Sequence, residues 1–231
     1  METILQTTNL SRQFGKKMAV NNVNMTIHKG DIYGFIGKNG AGKTTFMRLV
    51  LGTAFPTKGE IKLFDGEPFD KARRKIGSLI ETPGLYKNCT AYENLKQFSL
   101  IYGGTDAEIK EILFLVGLAD TGNKKAGKFS LGMRQRLGIA IALLGNPEFL
   151  VLDEPVNGLD PAGMKEVRDL ILKLNHEKNI TILISSHLLD ELSKIVTRYG
   201  IINDGMLIEE VTAAELNDCL LYTSPSPRDT R

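Results

Sequence analysis

One run of eight residues, Gly37-Lys38-Asn39-Gly40-Ala41-Gly42-Lys43-Thr44, constrains this chain more than any other. It fits Gly-x4-Gly-Lys-[Ser/Thr] and sits in the context that gives the pattern meaning. Before it, Asp31-Ile32-Tyr33-Gly34-Phe35-Ile36 reads as a buried strand, and after it Thr45-Phe46-Met47-Arg48-Leu49-Val50-Leu51 can start a helix. A strand, a glycine-rich turn and a helix N-terminus make a cradle for phosphate. The backbone N–H groups of Gly37, Asn39, Gly40, Ala41, Gly42 and Thr45 point inward, and the helix dipole favours the anion. Lys43 then reaches the terminal phosphates, and the Thr44 hydroxyl faces a magnesium ion.

The rest of the composition narrows the class. With 231 residues the chain can bury a full core in one or two domains. A net charge of +2 is too small for nucleic-acid binding by bulk electrostatics, so no nucleic-acid partner is expected. The short basic runs Arg73-Arg74-Lys75 and Lys124-Lys125 read as solvated faces. Cys89 and Cys219 form no CxxC pair and no metal spacing, which fits a reducing cytosol. No stretch approaches the roughly 18 apolar residues that would span a bilayer. The polar start (Glu2, Thr3, Gln6, Thr7) predicts no signal peptide. The chain is expected to be soluble and intracellular, with any membrane role supplied by another subunit.

Along the chain, β-rich stretches near Ile4–Asn9 and Val20–Ile27 predict an N-terminal antiparallel part, with a turn over Arg12–Lys17. After the phosphate loop come strands at Gly59–Phe64 and Ile76–Ile80. From Thr90 to about Val116 the apolar period becomes helical, with Tyr92, Leu95, Phe98 and Ser99 on one face and Ile109, Ile112, Leu113 and Val116 on another. This predicts a helical insertion over about 88–145. Beyond it the order is strand (Phe149–Leu152), helix (Pro161–Asn175), strand (Thr181–Ser185), helix (Leu188–Val196). Alternating elements with continuous apolar strands imply a parallel sheet between helices. The composition changes abruptly at Cys219. Residues 1–218 are therefore read as one domain and 219–231 as a non-native or disordered tail, which cuts short a helix beginning near Val211.

Further motifs join the loop in order. Phe149-Leu150-Val151-Leu152-Asp153-Glu154 is an apolar strand ending in two acids. Asp153 can support magnesium beside Thr44, and Glu154 falls where a general base for an attacking water belongs. Between the two elements lies Ser130-Leu131-Gly132-Met133-Arg134-Gln135-Arg136. Here the chain resembles the nucleotide-binding subunits of ATP-binding-cassette transporters, whose LSGGQ signature precedes the acidic strand. Ser130 and Gly132 keep two signature positions, whereas Leu131 replaces a glycine and Met133 the glutamine.

The resemblance covers roughly residues 4–210 and carries several implications. The fold would be α/β: a P-loop NTPase core with a mostly parallel sheet, an N-terminal antiparallel part and a helical signature subdomain. The bound species would be ATP and Mg2+. Ser130 and Gly132 would complete the ATP site of a partner cassette, so hydrolysis would need a head-to-tail homodimer. Asp160, in Gly158-Leu159-Asp160, matches the loop that crosses that interface. His187 matches the histidine at the γ-phosphate, and Phe14 the aromatic that stacks on adenine. The segment Pro83–Tyr92 would dock a separate integral-membrane permease at the cytoplasmic face of a bacterial membrane. At the position where the family usually has a magnesium-contacting glutamine, this chain has Glu81. With the SLGM signature, that glutamate resembles the subgroup exporting bacitracin and lantibiotic peptides. The alternatives are a cassette of another efflux system and a soluble, non-transport cassette ATPase.

Overall fold

The computed structural model describes residues 2–215. In chain order the elements are β1 (Thr3–Phe14), β2 (Lys17–His28), β3 (Ile32–Ile36), α1 (Lys43–Val50), β4 (Lys58–Leu63), α2 (Phe69–Arg73) and β5 (Ile76–Leu79). The helical insertion follows as α3 (Ala91–Tyr102), α4 (Asp106–Leu115) and α5 (Leu131–Ala142). Then come β6 (Phe149–Leu152), α6 (Pro161–Lys178), β7 (Thr181–Ser186), α7 (Leu189–Leu192), β8 (Arg198–Asn203) and β9 (Met206–Thr212).

Two sheets result. An antiparallel sheet has the order β2-β1-β4, and a six-stranded sheet runs β5-β6-β7-β3-β8-β9. The six-stranded sheet is parallel from β5 to β8, and β9 joins as an antiparallel edge. Every residue of β3, β6 and β7 is buried, as a sheet covered on both faces requires. Successive side chains still choose opposite faces. Leu150, Leu152, Ile182 and Ile184 pack with α5 and α6, whereas Phe149, Val151, Leu183, Tyr33 and Phe35 pack with α1 and the antiparallel sheet. The Phe35 and Phe46 rings, 5.0 Å apart, lock β3 to α1. The strand and helix that flank the phosphate loop are therefore held by one core. The stripe Val167, Leu170, Ile171 and Leu174 on α6 is likewise buried core.

The expected architecture stands, with local corrections. The first two strands are twelve residues each, so Arg12, Gln13 and Phe14 belong to β1 and the turn shrinks to Gly15-Lys16. Bulges interrupt the alternation there, and Asn9 and Asn22 take left-handed backbone at φ 50° and 54°. The helical stretch from Thr90 resolves into two helices, broken at Gly103-Gly104. The helix expected over Leu188–Val196 is regular only through Leu192. Val211 and Thr212 are still strand, and helical backbone starts at Ala213. The tail expected at 219–231 lies outside the described residues.

Two of the insertion helices, α3 and α4, start with a reciprocal cap. Thr90 and Thr105 accept from the N–H of Glu93 and Glu108, whose carboxylates accept from the N–H of Thr90 and Thr105. These backbone N–H bonds hold the Glu93 and Glu108 carboxyls below their ordinary 4.5, and the Lys96 ammonium holds Asp106 below 3.8. A carboxyl lowered in the folded state adds stability that is complete above its ordinary value and lost as pH falls through the lowered one. The insertion is therefore expected to loosen before the core as pH drops below about 4, the ordinary carboxylate range. Amide exchange of residues 91–115 against that of β6 and β7 measures it. Substituting Glu93 and Glu108 with Gln should weaken the pH dependence.

Candidate functional site

Parallel strands bring their C-terminal ends to one edge of the sheet, and that edge carries the site. β3 leads into the phosphate loop, β5 into Ile80-Glu81, β6 into Asp153-Glu154 and β7 into His187. Backbone bonds fix the loop. Gly37 N donates to Ser186 O at 3.2 Å, and Gly205 N, from the β8–β9 turn, donates to Ala41 O at 2.8 Å. Two glycines are sterically required. Gly42 sits at φ +111°, where a Cβ would lie 2.2 Å from Ala19 O, and a Cβ on Gly37 would lie 2.4 Å from Ile202 O. The loop is wedged between β2 and β8; Gly37 N and Ala41 N, expected to face the anion, donate instead to Ser186 O and Lys38 O, which leaves the cradle to the other loop amides.

Lys43 is only 5% exposed. Its ammonium donates to Gly37 O at 2.5 Å and Lys38 O at 3.3 Å, and pairs with Glu154 Oε1 at 3.1 Å. A nearly buried cation needs such partners. The other Glu154 oxygen lies 2.6 Å from His187 Nδ1, so one carboxylate bridges Lys43 and His187. Glu154 itself holds left-handed backbone at φ 50°, unusual for a non-glycine residue and common where a site imposes strain.

Asp153, 4% exposed, is held from two sides. Thr44 Oγ1 donates to its Oδ2 at 2.6 Å and Ser185 Oγ to its Oδ1 at 2.5 Å, while Ser185 Oγ also accepts from Glu154 N at 2.9 Å. Ser185 is a residue sequence reasoning passed over. It is a fully buried hydroxyl at the end of an apolar strand, and that polar interruption was the available signal. Thr44 and Asp153 offer hard oxygen donors side by side, a set that fits magnesium, which takes few protein ligands and fills its shell with phosphate and water. Among the described residues no three His, Cys, Asp or Glu side chains converge as a metal cage.

The remaining expected residues lie apart. Glu81 pairs with Arg48 of α1 at 2.6 Å. Phe14 is half exposed, with the Arg12 guanidinium 4.5 Å from its ring centre. Ser130 caps α5, accepting from Met133 N, and Asp160 caps α6, accepting from Gly163 N. These two caps are neighbours: a Cβ on Gly132 would meet nothing closer than Gly163 Cα at 3.8 Å, and one on Gly158 would meet Leu131 Cδ2 at 3.4 Å. They form a surface of their own, bonded within their own helices. The cleft of about 450 Å³ lined by Tyr102, Ile112, Leu144 and Lys178 contains none of these residues.

Comparison with known proteins decides what the array belongs to. Residues 20–157 match the ABC transporter family. The chain belongs to that family. Among its relatives, the bacitracin transport ATP-binding protein BcrA of Bacillus licheniformis is 52% identical, over 91% of this chain and 70% of that protein. The lantibiotic transport ATP-binding protein SrtF of Streptococcus pyogenes is 45% identical, over 90% of each chain. Among solved structures, the ADP conformation of an ABC transporter ATP-binding cassette superposes with a TM-score of 0.84 at 27% identity, covering 96% of both chains. A dimeric cassette bound to ADP and phosphate gives 0.78 at 26% identity, covering 91% of this chain and 99% of that one. The chain is thus a nucleotide-binding cassette and an ATPase.

Proposed function

We propose that this cassette hydrolyses ATP to drive export of antimicrobial peptides of the bacitracin or lantibiotic type. It would work as a homodimer under a separate integral-membrane permease, at the cytoplasmic face of the membrane. The observation that carries the reading is the connected array at the sheet edge: Lys43–Glu154–His187 beside Thr44–Asp153–Ser185. The names of BcrA and SrtF supply the substrate class. No helix among the described residues is long and apolar enough to cross a membrane.

The roles follow from the contacts. The Lys43 ammonium, now satisfied by two carbonyls and Glu154, exchanges the carboxylate for a triphosphate oxygen. Glu154, relieved of that cation but still beside His187, is placed to accept a proton from the attacking water. His187 orients it and faces the γ-phosphate. Thr44 and Asp153 would hold magnesium, which would offset phosphate charge. Glu81 must release Arg48 to join them. The loop amides at 38–40 and 42–45 cradle the phosphates, and Phe14 stacks on adenine. The separate surface of Ser130, Gly132 and Asp160 meets the ATP held by the second copy.

The test is resistance. Co-expressed with its permease in a sensitive host, the chain should raise tolerance to bacitracin or a lantibiotic. Tolerance unchanged for both peptide classes, with ATPase activity intact, would contradict the substrate assignment.

A further inference from the structure

A nucleotide whose phosphates fill the loop must place its base beyond the loop, and the β1–β2 hairpin leads outward from there. Arg12 pairs with Val20 and Gln13 with Met18, so β2 carries one extra residue, Ala19, at a bulge. The Ala19 carbonyl closes on the loop, where it would lie 2.2 Å from a Cβ on Gly42. Lys17, two residues and about 7 Å further along β2, pairs with Phe14. The end of β1 is also tied to the connection between α1 and β4. Thr57 N donates to Ser11 O at 2.8 Å, and Gln13 N donates to Thr57 Oγ1 at 3.1 Å.

Arg12 and Phe14 stand two apart on β1, and the Arg12 guanidinium lies 4.5 Å from the centre of the Phe14 ring. It is held there from the far side, because Arg12 Nη1 donates to Phe55 O at 2.9 Å. Its Nε is buried with no hydrogen-bond partner. Leaving that N–H unsatisfied is costly, and what the guanidinium gains in return is the face of the ring. Arg12 covers one face of Phe14, and the ring is still half exposed. The cation draws on the π electrons of the ring, so the opposite face is less negative and better suited to an electron-rich purine. We propose that Arg12 is a positioning residue for the base. It backs Phe14, fixes the plane of the ring and makes its open face a platform that favours purine over pyrimidine nucleotides. The inference rests on the reading of Phe14 as the residue that stacks on adenine.

The experiment is calorimetry with ATP, UTP and inorganic tripolyphosphate, each with magnesium, on wild type, Arg12→Ala, Phe14→Ala and the double variant. Tripolyphosphate has no base, so it reports the phosphate cradle alone. Arg12→Ala should weaken ATP about two- to fivefold, weaken UTP less and leave tripolyphosphate unchanged. Phe14→Ala should weaken ATP about fivefold or more, and the double variant should be no weaker than Phe14→Ala. Wild-type ATP affinity in Arg12→Ala would overturn the proposal, as would a matching loss for UTP or tripolyphosphate, or losses that add in the double variant. In each of these cases a loss in Phe14→Ala confined to ATP and UTP leaves the stacking reading intact. Wild-type ATP affinity in Phe14→Ala would overturn both.

Discussion

Replacing Glu154 with glutamine is expected to stop turnover while ATP stays bound, so that the chain accumulates as an ATP-held dimer. The amide matches the carboxylate in shape and can still sit between Lys43 and His187, but it cannot take a proton. A positioned general base is worth about 100- to 10,000-fold in rate, and a loss of that order is expected in kcat. Affinity should not fall, because a triphosphate oxygen would replace the Glu154 contact at Lys43. Steady-state ATPase assays and size-exclusion chromatography with ATP read both effects. Hydrolysis at the wild-type rate, or a monomer in saturating ATP, would remove Glu154 from the role assigned to it.

Lys43→Ala should nearly abolish nucleotide binding. The ammonium is buried against the loop, so no neighbouring solvent replaces it at the phosphates. A hydrogen bond to a charged group contributes about 1.5–3 kcal/mol, which corresponds to roughly a 10- to 150-fold weaker Kd. A second term acts in the same direction. Without Lys43, the Glu154 carboxylate faces the triphosphate with no cation between them. Calorimetry with ATP measures the sum, and equal affinity in the two proteins would contradict the cradle.

Much of this was legible in the residues because the central elements obey simple periods. Phe149–Leu152 is continuous apolar sequence closed by two acids, and it forms β6 at those positions. Gly37–Thr44 sits between an apolar strand and a helix start, and β3 and α1 flank it. Other parts depend on contacts distant in sequence. β8 and β9 carry no long apolar run, and β9 is an edge strand with exposed positions whose pairing with β8 defines it. α2 has five residues, too few for a helical period to show. β1 and β2 are longer than expected because bulges at Asn9 and Asn22 shift the alternation without ending the pairing. In the site, Asp153 and Glu154 are legible as a pair. Ser185 earns its place only when β7 lies beside β6, and Arg48 only when the β5 end folds back on α1.

The central claim is that ATP is hydrolysed in a site that two copies of the chain complete, with the caps at Ser130 and Asp160, which are bonded within their own helices, meeting the nucleotide of the other copy. The most direct measurement is ATPase rate per mole of purified chain across a wide dilution series. The rate per chain should rise with concentration and level off as dimers saturate, and Glu154→Gln should be flat near zero throughout. A rate per chain that stays constant on dilution to the lowest measurable concentration, or no hydrolysis at any concentration, would contradict the account.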